Sequence, residues 1–229
     1  MRALTASLLG AVVIVGFGGV SAAQEQKVAA SPQAAHVEQP APAQPSMGQR
    51  SSAPAGGGMV IFDFEKGVEE WAIPDWAQTS ADYVGKSVAP SQEQQSHGQG
   101  SLQVNAAFPG GKWTGAYIER MMYVTDWSAF SGISADVFLP QNAPEGIKAR
   151  FILTVGDKWE WTEMNRGLSL KPGEWTTITA NLKPGSQDWK FFPDDKFRKD
   201  VRKIGIRFES DSKPVYTGPM YVDNIQLDR

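Results

Sequence analysis

The sequence predicts an all-β domain, an antiparallel β-sandwich over residues 59–229, and three observations predict it. Short runs alternate apolar and polar residues with period two. Turn-forming clusters such as "FPGGK", "LPQNAPEG", "LKPGEW" and "DSKPVYTGP" separate these runs. No stretch of the region sustains the 3.6-residue apolar period of a long helix. Successive strand side chains point to opposite faces, so alternation marks strands with one face on a core and the other in water.

The elements follow in order. "MVIFDFE" places Val60, Phe62 and Phe64 on one face and Ile61, Asp63 and Glu65 on the other. "GISADVFLP" aligns Ile133, Ala135, Val137 and Leu139, and "ARFILTVGD" aligns Phe151, Leu153 and Val155. "WTTITANL" aligns Ile178, Ala180 and Leu182, and "KIGIRFES" aligns Ile204, Ile206 and Phe208. "MYVDNIQLD" groups Tyr221, Ile225 and Leu227. One helical turn is expected at "PDDKFRKDVRK", where Phe197 and Val201 stand four apart. There is no internal repeat, and the length suits one domain.

Residues 1–23 have the layout of a secretory signal peptide: Arg2, then the uncharged apolar run "ALTASLLGAVVIVGFGGV", then small residues at Val20–Ala23. The rival reading is a retained anchor, since the run approaches spanning length, but the small-residue site favours cleavage. No cysteine follows the run, which excludes a lipoprotein anchor. The mature protein is therefore expected to be secreted or periplasmic, with no membrane attachment after cleavage. Residues 24–58 are Ala, Pro, Gln, Ser and Gly without an aromatic residue, the composition of a disordered linker. Its Ala-Pro pairs favour extended conformations, a tether open to a protein partner.

Composition excludes several functions. A net charge of −3 over 229 residues gives no basic footprint for nucleic acid. The absence of cysteine excludes disulfides, thiolate metal sites and a cysteine nucleophile. His97 is the domain's single histidine and lies in an "SHGQGS" turn, which speaks against a Ser-His-Asp triad or a histidine-rich zinc site. Glu160 and Glu163 stand three apart, on opposite strand faces, a poor arrangement for paired hydrolytic carboxylates.

An ordered series of segments carries a resemblance: "FDFEKGVEEW", "SHGQGSLQV", "SGISADVFLP", "LTVGDKWEWTEM", "LKPGEWTTITANL", "RKIGIRFES" and "MYVDNIQL". From Phe62 to Leu227 the chain resembles the jelly-roll, galactose-binding-like carbohydrate-binding modules attached to bacterial β-glycanases and mannanases. The resemblance implies a non-catalytic module that takes a polysaccharide or glycan by aromatic stacking and hydrogen bonding. It also implies a structural calcium with Glu65 and Asp223 as ligands. From the residues alone, Asp223 shares a face with apolar neighbours, and a buried carboxylate needs a partner. That partner is either a cation shared with Glu65 or a set of backbone amides in a turn, with Glu65 solvated. The alternative function is a structural or assembly protein of the bacterial envelope, with the tryptophans mostly in the core.

The candidate ligand-binding residues are aromatics and arginines. Indole rings offer a wide flat surface to the apolar face of a sugar. All eight tryptophans fall between Trp71 and Trp189. Trp71, Trp127 and Trp175 read as core at strand entries. Trp76 in "AIPDWAQ", and Trp113 and Tyr117 in "KWTGAYIER", sit beside turns and read as platforms. Trp159 and Trp161 share a strand face. Simple alternation puts them inward, opposite Lys158, Glu160 and Thr162, while a register restarted at Gly156-Asp157 puts them in a groove. Phe191 and Phe192, beside Trp189, read as core. Arg150 and Arg207 lie on the faces opposite their apolar neighbours. They serve either as fork-shaped donors to sugar hydroxyls or uronates, or as ion-pair partners of Glu209 or Asp136.

Overall fold

The computed structural model describes residues 57–211 and 214–229. The expected signal peptide and all but the last two residues of the expected linker lie outside the described residues. The elements are β1 (Met59–Phe62), α1 (Asp75–Thr79), β2 (Gly85–Ser91), β3 (Ser101–Pro109), β4 (Thr114–Met121), β5 (Gly132–Phe138) and β6 (Ile147–Val155). They continue with β7 (Glu160–Glu163), β8 (Leu168–Ser169), β9 (Trp175–Asn181), α2 (Asp195–Lys199), β10 (Val201–Ser210) and β11 (Val215–Asp228). One sheet runs β2-β3-β11-β5-β9, with β1 also on β11; the other runs β4-β10-β6-β7, with β8 also on β6. The ladders are antiparallel. This is the expected β-sandwich.

The core lies between the sheets and is built from the alternating sets read in the sequence. Ile133, Ala135 and Val137 of β5 and Ile178 and Ala180 of β9 face Phe151 and Leu153 of β6 and Ile204, Ile206 and Phe208 of β10, all buried. Trp71 and Trp127 are core, as expected, and Trp189 joins them against Phe197 at 6.0 Å. The indole N–H groups of Trp127 and Trp189 donate to Val124 O and Asn181 O, which satisfies their polar edges in the interior. The expected helical turn is α2, capped by Asp194, whose Oδ1 accepts from Phe197 N at 2.6 Å.

Four expectations are corrected. Val60 is exposed, because a bulge between Val60 and Phe62 reverses the alternation; Met59 and Ile61 pack on the core before it, Phe62 and Phe64 after it. A second irregularity between Asp223 and Gln226, with Asn224 at φ 48°, takes Asp223 off the face of Ile225 and Leu227. Trp175 is half-buried on the outer face of the six-stranded sheet, 5.3 Å from Phe138. Phe191 and Phe192 are exposed: their segment runs along the β7 edge, with Lys190 N bonded to Glu163 O and Phe191 N to Thr162 Oγ1, which leaves both rings outside the core.

Candidate functional site

The outer face of the five-stranded sheet gathers most of the residues read as candidates. Its cross-strand registers set their positions. One row runs Tyr117 (β4), Arg207 (β10), Arg150 (β6). The next runs Glu119, Gly205, Ile152, Glu163. A third runs Met121, Lys203, Thr154, Trp161. Alternation sends all of these side chains away from the core.

Over this floor stands an aromatic cluster. Trp161 comes from β7 and Tyr117 from β4, yet their ring centroids are 5.2 Å apart. Trp76, on α1, lies 5.3 Å from Tyr117 and 6.0 Å from Trp161. Tyr83 meets Trp76 at 4.9 Å and Trp113 at 6.0 Å. Tyr117 is buried beneath its neighbours, and Ile152 is fully covered. The tryptophans are not: Trp76 is 42% exposed, Trp161 37% and Trp113 36%. Trp76, read as lying beside a turn, sits on the short helix α1.

The two open readings of the tryptophan pair resolve toward the outer face. Trp161 faces outward with Thr154, and Thr162 takes the inward position opposite Leu153. Trp159, 46% exposed, lies in the four-residue connection before β7 and packs on cations, with Arg202 at 5.1 Å and Lys203 at 6.0 Å from its ring.

Beneath the indoles runs a charge ladder. Arg207 forms an ion pair with Glu163 Oε2 at 2.7 Å and donates to Glu209 Oε2 at 3.0 Å. Arg150 pairs with Glu209 and Glu163 and donates to Met164 O at 2.9 Å. Lys190 closes on Glu163 from the edge. Burial alone would push the Glu163 carboxyl up, but the Lys190 hydrogen bond and the Arg207 and Arg150 charges outweigh it and hold it below the usual carboxylate range. Of the two partners expected for the arginines, Glu209 is found; Asp136 belongs to the other sheet. Farther along, Tyr117 OH donates to Glu119 Oε2 at 2.9 Å and Lys203 Nζ to Glu119 Oε1 at 2.6 Å. Burial and the Glu119 carboxylate keep the Tyr117 phenol protonated well beyond its ordinary range.

The cations on this face are countered by carboxylates, so the face presents apolar rings over a near-neutral polar floor. That suits stacking against a neutral ring with hydroxyl hydrogen bonds at its rim. Glu163 itself does not suit the role of general acid, which needs a raised carboxyl pKa, because it is shifted the other way. Ser96, His97 and Asp136 also meet, but Ser96 Oγ (3.1 Å) and Asp136 Oδ2 (3.4 Å) both contact His97 Nδ1, so the ring cannot relay a proton between them.

Tyr83, Glu119, Glu163 and Lys203 were not read as candidates. Tyr83 sits in the polar segment "TSADYVG", and the other three occupy outward positions whose pairing depends on strand order, which alternation does not report.

Glu65 and Asp223 converge on one turn. Asp223, fully buried, accepts from Ser96 N, His97 N and Ser96 Oγ through Oδ2 and from Asn224 N through Oδ1. Glu65 Oε1 accepts from Gln99 N at 2.7 Å and Gly100 N at 2.9 Å. Calcium takes oxygen ligands, and what the turn presents to these carboxylates is N–H groups. Among the described residues no group of three His, Cys, Asp or Glu side chains is placed to hold a metal ion. Both carboxylates serve here as acceptors of turn amides.

A galactose-binding-like β-sandwich with an exposed aromatic face is thus the class that fold and site define. The chain belongs to the family described as mannanase, galactose-binding domain-like, whose model matches residues 62–224. Among solved structures, a module specific for non-crystalline cellulose, CBM28, is similar at 14% identity, covering 76% of this chain and 96% of that one, with a TM-score of 0.55. CBM27-1 of Caldicellulosiruptor saccharolyticus, in complex with mannohexaose, gives 17% identity, 75% and 97% coverage and a TM-score of 0.49. A β-sandwich carbohydrate-binding module described for promiscuous specificity gives 18% identity and a TM-score of 0.48; 76% of this chain spans 64% of that one. No curated protein matches.

Proposed function

We propose that this protein is a non-catalytic carbohydrate-binding module, exported from the cytoplasm, that takes a neutral polysaccharide on the outer face of its five-stranded sheet. The observation that carries this reading is the exposed indole set Trp76, Trp113 and Trp161 around the buried Tyr117. Three half-open indoles on one face are a surface that a monomeric fold gains nothing by leaving wet. Each would stack on the apolar side of a sugar ring. Arg150 and Arg207, bracketed by Glu163 and Glu209, would hold the polar floor rigid and present their remaining N–H edges to hydroxyls. With its cations already paired, the face favours a neutral sugar over a uronate. The mannanase association of the family makes β-mannan the first ligand to try.

Affinity electrophoresis in gels containing mannan, mixed-linkage glucan, soluble cellulose derivatives or xylan tests the proposal. Retardation by at least one neutral glycan is expected, strongest with mannan. A folded protein that no glycan retards contradicts it.

A further inference from the structure

Resting on that glycan-face reading, we infer that Trp159 is a chain-length subsite, held against local backbone preference at the far end of the face.

β6 and β7 are joined by four residues, Gly156 to Trp159, between the paired Val155 and Glu160. Trp159 N donates to Gly156 O at 3.1 Å and closes the turn. This places Trp159 at φ 57°, in the left-handed region. A hairpin turn of this kind ordinarily ends on Gly or Asn, because a Cβ clashes there, and for a bulky side chain the position is a true outlier. Five described non-glycine residues have positive φ. Phe64 is buried, Asn224 is of a type that tolerates the region, and Glu69 and Glu70 carry no ring. Trp159 alone combines the strained backbone with an exposed aromatic ring. Strain of this kind persists where the side chain does something a relaxed residue could not.

The ring's surroundings say what. It is fixed from one side by cations, and Arg202 is itself anchored by Asp200 at 2.9 Å. It does not join the cluster of Trp76, Tyr117 and Trp161. Trp113 packs over the Arg207 guanidinium at 5.3 Å, and Trp159 packs near Lys203. Arg207 and Lys203 are four residues apart on β10, about 13 Å at the usual strand rise. The two indoles therefore mark opposite ends of the face along β10, with the aromatic cluster between them. A short oligosaccharide seated on the cluster does not reach Trp159; a longer one does.

Calorimetric titration of the wild type, Trp159→Gly and Trp161→Ala with mannotriose and mannohexaose tests this. Should mannan fail to retard the wild type, the three- and six-unit oligosaccharides of the retarding glycan replace them. Trp159→Gly is expected to melt at or above the wild-type temperature, because it relieves the strain. It is expected to bind the hexasaccharide about tenfold more weakly, one stacking contact, and the trisaccharide as the wild type does. Trp161→Ala weakens both. Wild-type hexasaccharide affinity in Trp159→Gly, an equal loss for both lengths, or a lowered melting temperature overturns the inference while leaving the glycan-face reading intact. A wild type that binds no glycan overturns both.

Discussion

The Tyr117 ring lies across Gly205. A Cβ at Gly205 would sit 2.5 Å from both Tyr117 Cε2 and Oη, closer than carbon and ring can approach. Gly205 occupies the middle of the outer face, in the row of Glu119, Ile152 and Glu163. Its missing side chain is what lets a phenol from one strand reach an indole from the opposite edge of the sheet. Gly205→Ala is expected to displace Tyr117, to lower stability by about 1–3 kcal/mol through overpacking, and to weaken glycan binding. Urea denaturation and affinity electrophoresis of the variant check both effects.

Glu163 makes stability depend on pH. Its carboxyl is held below the usual range: burial opposes this, while Lys190, Arg207 and Arg150 drive it. The folded protein thus holds this proton more weakly than the unfolded chain. The stabilisation is full above the unfolded carboxyl value and is lost as pH falls through the lowered folded one. Glu163→Gln should cost about 3 kcal/mol at neutral pH, because the buried Arg207 loses a counter-charge. The difference between wild type and variant should shrink in acid. A difference that stays constant between pH 7 and pH 3, measured by denaturant titration, would remove the ladder from the stability account.

The turn at residues 96–100 should be held by carboxylates alone. Asp223→Asn places an amide donor against the Ser96 and His97 N–H groups and is expected to cost about 2 kcal/mol. A chelator should leave the wild-type melting temperature unchanged. Calcium that copurifies, with a melting temperature that drops on chelation, would return Glu65 and Asp223 to the role of metal ligands.

What was legible in the sequence followed from period-two alternation. It placed the inward sets of β5, β6, β9 and β10, and it put Arg150 and Arg207 on an outer face. It failed where one residue breaks the period. The bulge at Ile61 exposed Val60, and the irregularity after Asp223 separated that carboxylate from Ile225 and Leu227. Trp161 faces outward because the connection ending at Trp159 sets the register of β7; the turn at Gly156-Asp157 signalled that restart, but alternation alone could not decide it. Trp76, Trp113 and Tyr117 were each legible as aromatics near turns, and Trp161 was open between core and groove. Their convergence was not legible, since β7 and β4 are opposite edges of a sheet whose order is β4-β10-β6-β7. The Arg207–Glu209 pair was legible, since both lie on one face of β10; its extension to Glu163 on β7 was not.

The fold should be indifferent to the exposed indoles and dependent on the buried ones. Trp76→Ala and Trp161→Ala are expected to shift the melting temperature by only a few degrees. Trp127→Ala, at a fully buried position, should cost about 3–5 kcal/mol. Calorimetric melting of the three variants checks the division.

Trp76 and Trp161 together should form the surface on which a glycan stacks. Titration of mannohexaose into the wild type and into the double variant Trp76→Ala/Trp161→Ala tests it most directly. Saturable binding by the wild type, and none by a double variant that still unfolds cooperatively, is the expected result. Undiminished binding by the folded double variant, or a wild type that binds neither mannohexaose nor any other neutral glycan, would contradict it.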